Sequence, residues 1–311
     1  MKASTINLHN LLVLFLTMVF AAGSALASTN FSTCPSSGSP VTIATIVGSA
    51  NGNGCSDSDK TLSDFSVMNG SGKSNSGVSQ TDSSVLFGTS DTFTSSSVPW
   101  TVTSAFTPNG SAWTLTGASG TTTQGVLNYD VDSTGANNGS YPAGGPFYIT
   151  GVSLNIAGTT GIANADGAPD MITVTKVFCV GTGACTGADE VTLTAVIGNN
   201  SSTVNYSCTA GAGISGDVTG CSGTPTTSPE NVVFTTIFPT TLDVTDTYTL
   251  VVHSGTMGDM AVSTTDSLTN MNDVFGEAAV PEPSTLLLLG TALAGIGLAG
   301  FRRRKKDVEK A

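Results

Sequence analysis

The stretch Leu242 to His253, LDVTDTYTLVVH, decides the fold class. Leu242, Val244, Tyr248, Leu250 and Val252 recur at alternate positions, and Asp243, Thr245, Thr247, Thr249, Val251 and His253 fill the places between them. A period of two belongs to a β-strand with one face in a core and the other in water. Within this stretch Asp246 interrupts the apolar side. Val191, Leu193, Ala195 and Ile197 repeat the pattern against Thr192 and Thr194, and Leu127, Tyr129 and Val131 repeat it against Asn128 and Asp130. Between Phe147 and Ile156 the phase slips: Phe147 and Ile149 share one face, and Val152, Leu154 and Ile156 resume one residue out of step. Gly151 at the slip predicts a bulge.

Composition supports the same reading. Ser, Thr, Gly and Asn occupy 142 of 311 positions, and charged residues are only 10%, against roughly 25% in an ordinary soluble domain. These residue types weaken helices, through backbone entropy in Gly and through stiff or backbone-competing side chains in Thr, Ser and Asn. No stretch of helical period stands outside the two termini. About ten strand-like runs separated by turn residues predict an all-β body, an antiparallel β-sandwich of jelly-roll-like type over residues 81–277. Residues 28–80, with Asn51-Gly52-Asn53-Gly54 and the tract from Asn69 to Ser79, read as a Ser/Gly/Asn-rich loop segment.

Six cysteines lie beyond the N-terminal leader: Cys34, Cys55, Cys179, Cys185, Cys208 and Cys221. An even count on an exported chain implies disulfides, and six cysteines allow about fifteen pairings. Pairing in sequence order is the simplest. Closing the loop between Cys208 and Cys221 would stabilise by roughly 3 kcal/mol. Zinc is the rival use, but the chain has no CxxC pair and one His after residue 27.

The two ends carry addresses. Lys2, the apolar run Leu11 to Ala22 and Ala25-Leu26-Ala27 before Ser28 make a secretory signal over residues 1–27. Twelve apolar residues as a helix span about 18 Å, too short for a membrane core of roughly 30 Å. At the other end residues 278–284 form a linker containing Pro281-Glu282-Pro283, and 285–301 form a charge-free transmembrane helix. Residues 302–311 open with Arg302, Arg303, Arg304, Lys305 and Lys306, a cluster that stays cytoplasmic by the positive-inside rule.

Pro281-Glu282-Pro283, the short apolar helix and Arg302 to Arg304 together resemble the PEP-CTERM sorting signal of bacteria that make exopolysaccharide. The resemblance covers residues 280–306 and is silent about the body. It implies a precursor held in the inner membrane until exosortase, a membrane protease-transferase, removes the tail and releases or re-attaches the body at the cell surface. Exosortase and signal peptidase are then the processing partners. The tail also carries an ice-binding protein C-terminal label in domain naming, which by itself says nothing about ice.

Charge removes one class of partner. Between residues 28 and 280 three Lys and no Arg face nineteen acids, leaving −16. Such a surface repels phosphate backbones, so nucleic acid is excluded.

Catalytic patterns are sparse. His253 is the one histidine for a Ser-His-Asp arrangement, and it sits at the wet end of a strand without a G-x-S-x-G elbow. Gly70 to Ser74 ends like a phosphate loop, but Val67 stands where that loop needs Gly. Acid pairs such as Asp130 and Asp132, Asp166 and Asp170, or Asp189 and Glu190 suit glycosidase chemistry, yet Trp100 and Trp113 are the only tryptophans available as sugar platforms. Hard oxygen donors around a Gly turn suit Ca²⁺, and Asn164, Asp166 and Asp170 form such a set, with Asp130 to Gly135 a weaker second. Asp, Asn and Gly also make turns without any metal, and that reading is favoured. Ca²⁺ is the one cofactor in view.

The expected role is a structural or adhesive protein of the cell surface or extracellular matrix, without catalysis, with exopolysaccharide as a candidate partner. The alternatives are a carbohydrate-binding module, which needs an exposed aromatic strip, an ice-binding surface, and a hydrolytic surface protein. Ice binding needs ordered Thr rows, for which Thr173, Thr175, Thr192, Thr194, Thr245, Thr247 and Thr249 are the material.

Overall fold

The computed structural model describes residues 31–279 except 58–59, 71–78, 93–100, 118–120, 134–146, 162–169, 182–184, 186, 199–200, 222, 238, 253–254, 258–259 and 263. The expected signal peptide, the Pro281-Glu282-Pro283 motif, the expected transmembrane helix and the basic tail lie outside the described residues, as do Trp100, Asn164, Asp166 and His253.

In chain order the strands begin with β1 (Ser32–Thr33) and β2 (Val41–Thr42), followed by the short helix α1 (Ile43–Val47). Next come β3 (Gly54–Asp57), β4 (Lys60–Asn69), β5 (Val85–Thr92), β6 (Thr101–Pro108), β7 (Thr114–Gly117), β8 (Thr121–Asp132) and β9 (Phe147–Thr159). The rest are β10 (Met171–Val180), β11 (Glu190–Gly198), β12 (Val204–Ala210), β13 (Val218–Thr219), β14 (Asn231–Phe234), β15 (Thr241–Val252), β16 (Gly255–Met257), β17 (Met260–Val262) and β18 (Thr264–Ala279). One sheet runs β1-β3-β4-β8-β15-β10-β11-β12. The other runs β13-β14-β9-β18-β6-β5-β2, with β7 also on β18, and β16 and β17 form a separate hairpin. Pairing is antiparallel except between β1 and β3.

The two sheets share one core. β15 and β10 face β18, and β11 faces β9. Their inward side chains, among them Leu127, Tyr129, Ile172, Val174, Phe178, Val244, Tyr248, Leu154, Phe106 and Phe275, form a single buried cluster. Alternation over residues 242–252 holds residue by residue, with the odd-numbered positions half-buried on the outside. Burial of β-branched and aromatic side chains between two such sheets is the main source of stability. Gly125 shows how tight the packing is. It lies opposite Tyr248, and a Cβ there would come within 2.2 Å of the Tyr248 ring.

Two bulges set which residues point inward. On β9 the register steps from Gly151↔Gly276 to Ile149↔Glu277, so Thr150 is the extra residue and the expected slip beside Gly151 is present. On β18 the register steps from Leu268↔Gly158 to Asn270↔Ala157. That step moves the buried positions from Thr264, Asp266 and Leu268 to Met271, Asp273 and Phe275.

The loop segment expected over 28–80 needs correction. Residues 32–69 contribute β1, β2, α1, β3 and β4, and Ile43, Ile46, Leu62, Phe65 and Val67 are part of the core. A third bulge hides this from period-two counting. Asp64 adopts φ +56°, the pairing with β8 shifts between Ser63 and Ser66, and burial passes from Lys60 and Leu62 to Phe65 and Val67. Asn51 to Asn53 make only the turn into β3, where Gly52 has φ +100°. The linker also starts later than expected, because Ala278 and Ala279 still pair with Tyr148 and Phe147.

Candidate functional site

Three charged side chains meet inside the core. Lys176 on β10 stands directly across from Asp246 on β15, and Asp273 reaches the same point from β18 of the facing sheet. Lys176 Nζ lies 2.8 Å from Asp273 Oδ2 and 3.0 Å from Asp246 Oδ1, and none of the three side chains touches solvent. Lys176 also donates to Asp246 Oδ2 at 3.1 Å and to the Tyr129 hydroxyl oxygen at 3.1 Å. The Tyr129 hydroxyl in turn donates to Asp273 Oδ2. The rings of Tyr129 and Phe275 lie 5.4 and 5.8 Å from the ammonium, and Phe65 and Phe106 pack on Tyr129. The result is an aromatic box around one amine and two carboxyls.

Electrostatics in that box are unbalanced by one negative charge. Burial pushes the Asp246 carboxyl well above the usual carboxylate range, the Asp273 carboxyl adds to the rise, and Lys176 opposes it. Burial and the same two carboxyls hold the Tyr129 hydroxyl well above its usual value, so it stays a donor. Removing charges from water costs several kcal/mol per ion unless partners replace the lost hydration. Here each carboxyl has the ammonium, and Asp273 has Tyr129 as well.

A second buried acid pair lies elsewhere in the core. Asp170, immediately before β10, and Asp266 on β18 are both fully buried. Asp266 Oδ1 accepts the Gly161 N–H at 3.0 Å, while Asp266 Oδ2 and Thr264 Oγ1 are buried without a hydrogen-bond partner among the described residues. Burial pushes the Asp266 carboxyl up to about 6; the Gly161 N–H lowers it and the neighbouring Asp170 raises it. A Cβ on Gly161 would meet Thr264 Cβ at 2.8 Å and Asp170 Oδ2 at 2.9 Å, so these groups converge on the Gly161 backbone. Of the set read for Ca²⁺, Asp170 is therefore placed in a carboxylate environment, and Asp266 is the neighbour that the sequence reading missed.

The outer face of the first sheet is hydroxyl-lined. Ser207, Thr194, Thr175 and Thr247 form one rung across β12, β11, β10 and β15. Thr173 pairs with Thr249, which accepts from Gln124 Nε2 at 3.0 Å. Thr192 pairs with Thr209, and Thr245 donates to Asn128 Oδ1 at 2.8 Å. Farther along the same strands Asp243 pairs with Asp130, and Asp64 and Asp132 stand close by. Asp64, Asp130, Asp243, Asn128 and Thr245 line a cleft of about 640 Å³. Partial burial raises the Asp130 carboxyl to about 6, with Asp243, Asp64 and Asp132 adding to the rise. Asp130 and Asp132 are strand residues, so the second Ca²⁺ loop read from Asp130 to Gly135 is not a loop at its acids.

All six cysteines pair in sequence order, Cys34–Cys55, Cys179–Cys185 and Cys208–Cys221. Glu230 lies beside Cys208 and Cys221, but sulfurs bonded to each other supply no thiolate for a metal. Trp113 is fully buried with its ring 4.8 Å from that of Tyr248. Among the described residues the large exposed hydrophobics are Met68, Val180 and Val233, none of them aromatic.

One signal in the sequence marks the buried cluster. Lys176 falls between Val174 and Phe178, Asp246 between Val244 and Tyr248, and Asp273 between Met271 and Phe275, each where the alternation calls for an apolar side chain. Three such interruptions of opposite sign are the trace of a buried pairing, but strand order is needed to join them.

Residues 279–305 match the family model of the PEP-CTERM protein-sorting motif, covering Pro281, Glu282, Pro283, Arg302, Arg303 and Arg304. Among curated proteins none matches the chain.

Proposed function

The tail is a PEP-CTERM signal, which marks an exosortase-processed, exported protein of the cell surface, and from that premise we propose that the body is structural or adhesive cargo without catalysis. The apolar segment 285–301 would hold the precursor in the inner membrane, with the basic tail inside, until cleavage. The observation that carries the proposal is the outer face of the first sheet. Its rungs of Thr and Ser, ending in Asp130 and Asp243, present hydroxyl and carboxylate to water, a surface suited to hydration and to weak contact with exopolysaccharide. A sugar-binding strip of exposed aromatics finds no support in Trp113, which is packed in the core.

Calcium fits this role as a neutralising ion. Carboxylate oxygens at Asp170 and Asp266 are the hard donors it takes, and Asn164 and Asp166 precede them in the chain. Ca²⁺ would also screen a strongly acidic surface and let copies approach one another.

Ice binding is the second reading, favoured by the register that sets Thr194, Thr175 and Thr247 side by side. Sheet geometry spaces such hydroxyls at about 4.8 Å across strands and about 6.8 Å along them. Strand twist of roughly 20° per strand turns the face away from a plane, which weighs against it.

The test is deletion in the native host, scored for matrix formation, beside the same host carrying Ala in place of Pro281, Glu282 and Pro283. Deletion should weaken the matrix, and the tail variant should remain in the inner membrane at precursor mass. Purified protein should neither turn over polysaccharides or esters nor shape ice crystals. Turnover lost on changing Asp130 and Asp243 to Asn would replace the structural reading with a hydrolytic one, and ice shaping lost with Thr175→Lys would replace it with the second reading.

A further inference from the structure

The geometry points to a covalent bond inside the core: an amide between Lys176 Nζ and the side-chain carboxyl of Asp273, formed by the folded chain on itself with Asp246 as the proton carrier. Lys176 Nζ is 2.8 Å from Asp273 Oδ2. That places the carboxyl carbon at most about 4 Å from the nitrogen, next to the range of a near-attack conformer. The surroundings are those the reaction requires. In water an amine and an acid persist as ammonium and carboxylate, each strongly hydrated, and do not condense. Here no solvent reaches Lys176, Asp246 or Asp273, and the ring faces of Tyr129 and Phe275 close the box.

The step balances without an external reagent. The nitrogen lone pair of Lys176 attacks the Asp273 carboxyl carbon, the new C–N bond forms, and the C–O bond to one carboxyl oxygen breaks. Asp246, 3.0 Å from the same nitrogen, accepts protons from Nζ and returns them to the departing oxygen, which leaves as water. Ammonium plus carboxylate therefore become amide plus water, and Asp246 ends as it began. Its raised affinity for a proton, caused first by burial and then by Asp273, suits that carrier role. The Tyr129 hydroxyl donates to Asp273 Oδ2, the oxygen on which negative charge develops in the tetrahedral intermediate, as an oxyanion donor does. Product formation also replaces two buried charges by a neutral group, which removes a desolvation cost.

Topology makes the link useful at a cell surface. Lys176 lies on β10 of one sheet and Asp273 on β18 of the other, so the amide would staple the sandwich across its core. β18 ends at Ala279, where the sorting segment begins. Tension applied at that end would then pass into the first sheet through covalent bonds.

The deciding measurement is the intact mass of the mature protein recovered from its host, reduced and alkylated, followed by proteolysis and peptide sequencing by mass spectrometry. The expected result is a mass lower by one water than the sequence requires, with a branched peptide joining Lys176 to Asp273. Lys176→Arg, Asp273→Ala and Asp246→Ala should each show the unlinked mass. Asp273→Asn should still link, losing ammonia in place of water. Wild-type protein at full mass with Lys176 in a linear peptide would overturn the inference, whatever the variants do. A branch at Asp246 would overturn the assignment of Asp273 as acceptor.

Discussion

Two pairs of buried carboxyls lie in the core, one closed on an ammonium and the other gathered on the backbone of Gly161. At the centre Asp246 and Asp273 close on Lys176. At the end of β18 nearer its start, Asp170 and Asp266 sit together against the Gly161 backbone. Both pairs arise in the same way, as acids at inward positions of alternating strands. At the first an ammonium and a tyrosine hydroxyl stand in for water, and Lys176 opposes the rise that burial and Asp273 impose on the Asp246 carboxyl. At the second, burial pushes the Asp266 carboxyl up to about 6, and the neighbouring Asp170 adds to the rise. The same residue type thus meets an amine in one place and a backbone N–H in the other.

Removing the amine should erase the difference. Lys176→Met leaves two acids in an apolar box, and breaking a buried pair from one side costs about 3–5 kcal/mol. Urea unfolding at pH 7 measures it, and a loss under about 1 kcal/mol would show that the ammonium does not hold the pair. Tyr129→Phe takes only the hydroxyl bond from Asp273, and a hydrogen bond to a charged group is worth about 2 kcal/mol. The same unfolding experiment should place it between Lys176→Met and wild type.

Asp266→Asn probes the other pair and has the smallest effect, in the opposite direction. The native state holds a proton on Asp266 between about pH 4 and 6 that the unfolded chain has already released. Wild-type stability from this group is therefore greatest below that window and falls as pH rises through it. Asp266→Asn keeps an acceptor for the Gly161 N–H and removes the charge, so it should stabilise at pH 7 by about 1–2 kcal/mol and flatten the slope between pH 4 and 6. Melting temperature against pH reads both, with Asp130, raised to about the same value, supplying a residual slope of the same sign. Added Ca²⁺ should raise the wild-type melting temperature at pH 7 and leave Asp266→Asn unchanged. An identical calcium response in both proteins would remove Asp266 as a ligand.

Legibility followed local periodicity. Strands β8, β11 and β15 could be read because each keeps its period of two without a register slip, and the slip at Gly151 could be read because both halves of β9 are long enough to show it. Strand β4 could not, since the bulge at Asp64 divides it into two pieces too short to display a period. The disulfides were nearer to hand, because neighbours in sequence are the easiest thiols to bring together. Threonines that alternate along a strand announce an outer face, but the rung of Thr194, Thr175 and Thr247 depends on register, which spacing alone leaves free.

By itself the sequence determined what depends on nearest neighbours along the chain: an all-β body, a sorting motif near its C-terminal end, an excess of acidic residues and six cysteines for three bonds. Tertiary structure alone decided which interruptions of the pattern meet. Lys176, Asp246 and Asp273 are separate flaws in three strands until β10 pairs with β15 and β18 crosses beneath them. The physical reason is that a charge in a strand is tolerated inside only if another element supplies its partner, and the identity of that partner is a property of sheet order and register, not of local sequence.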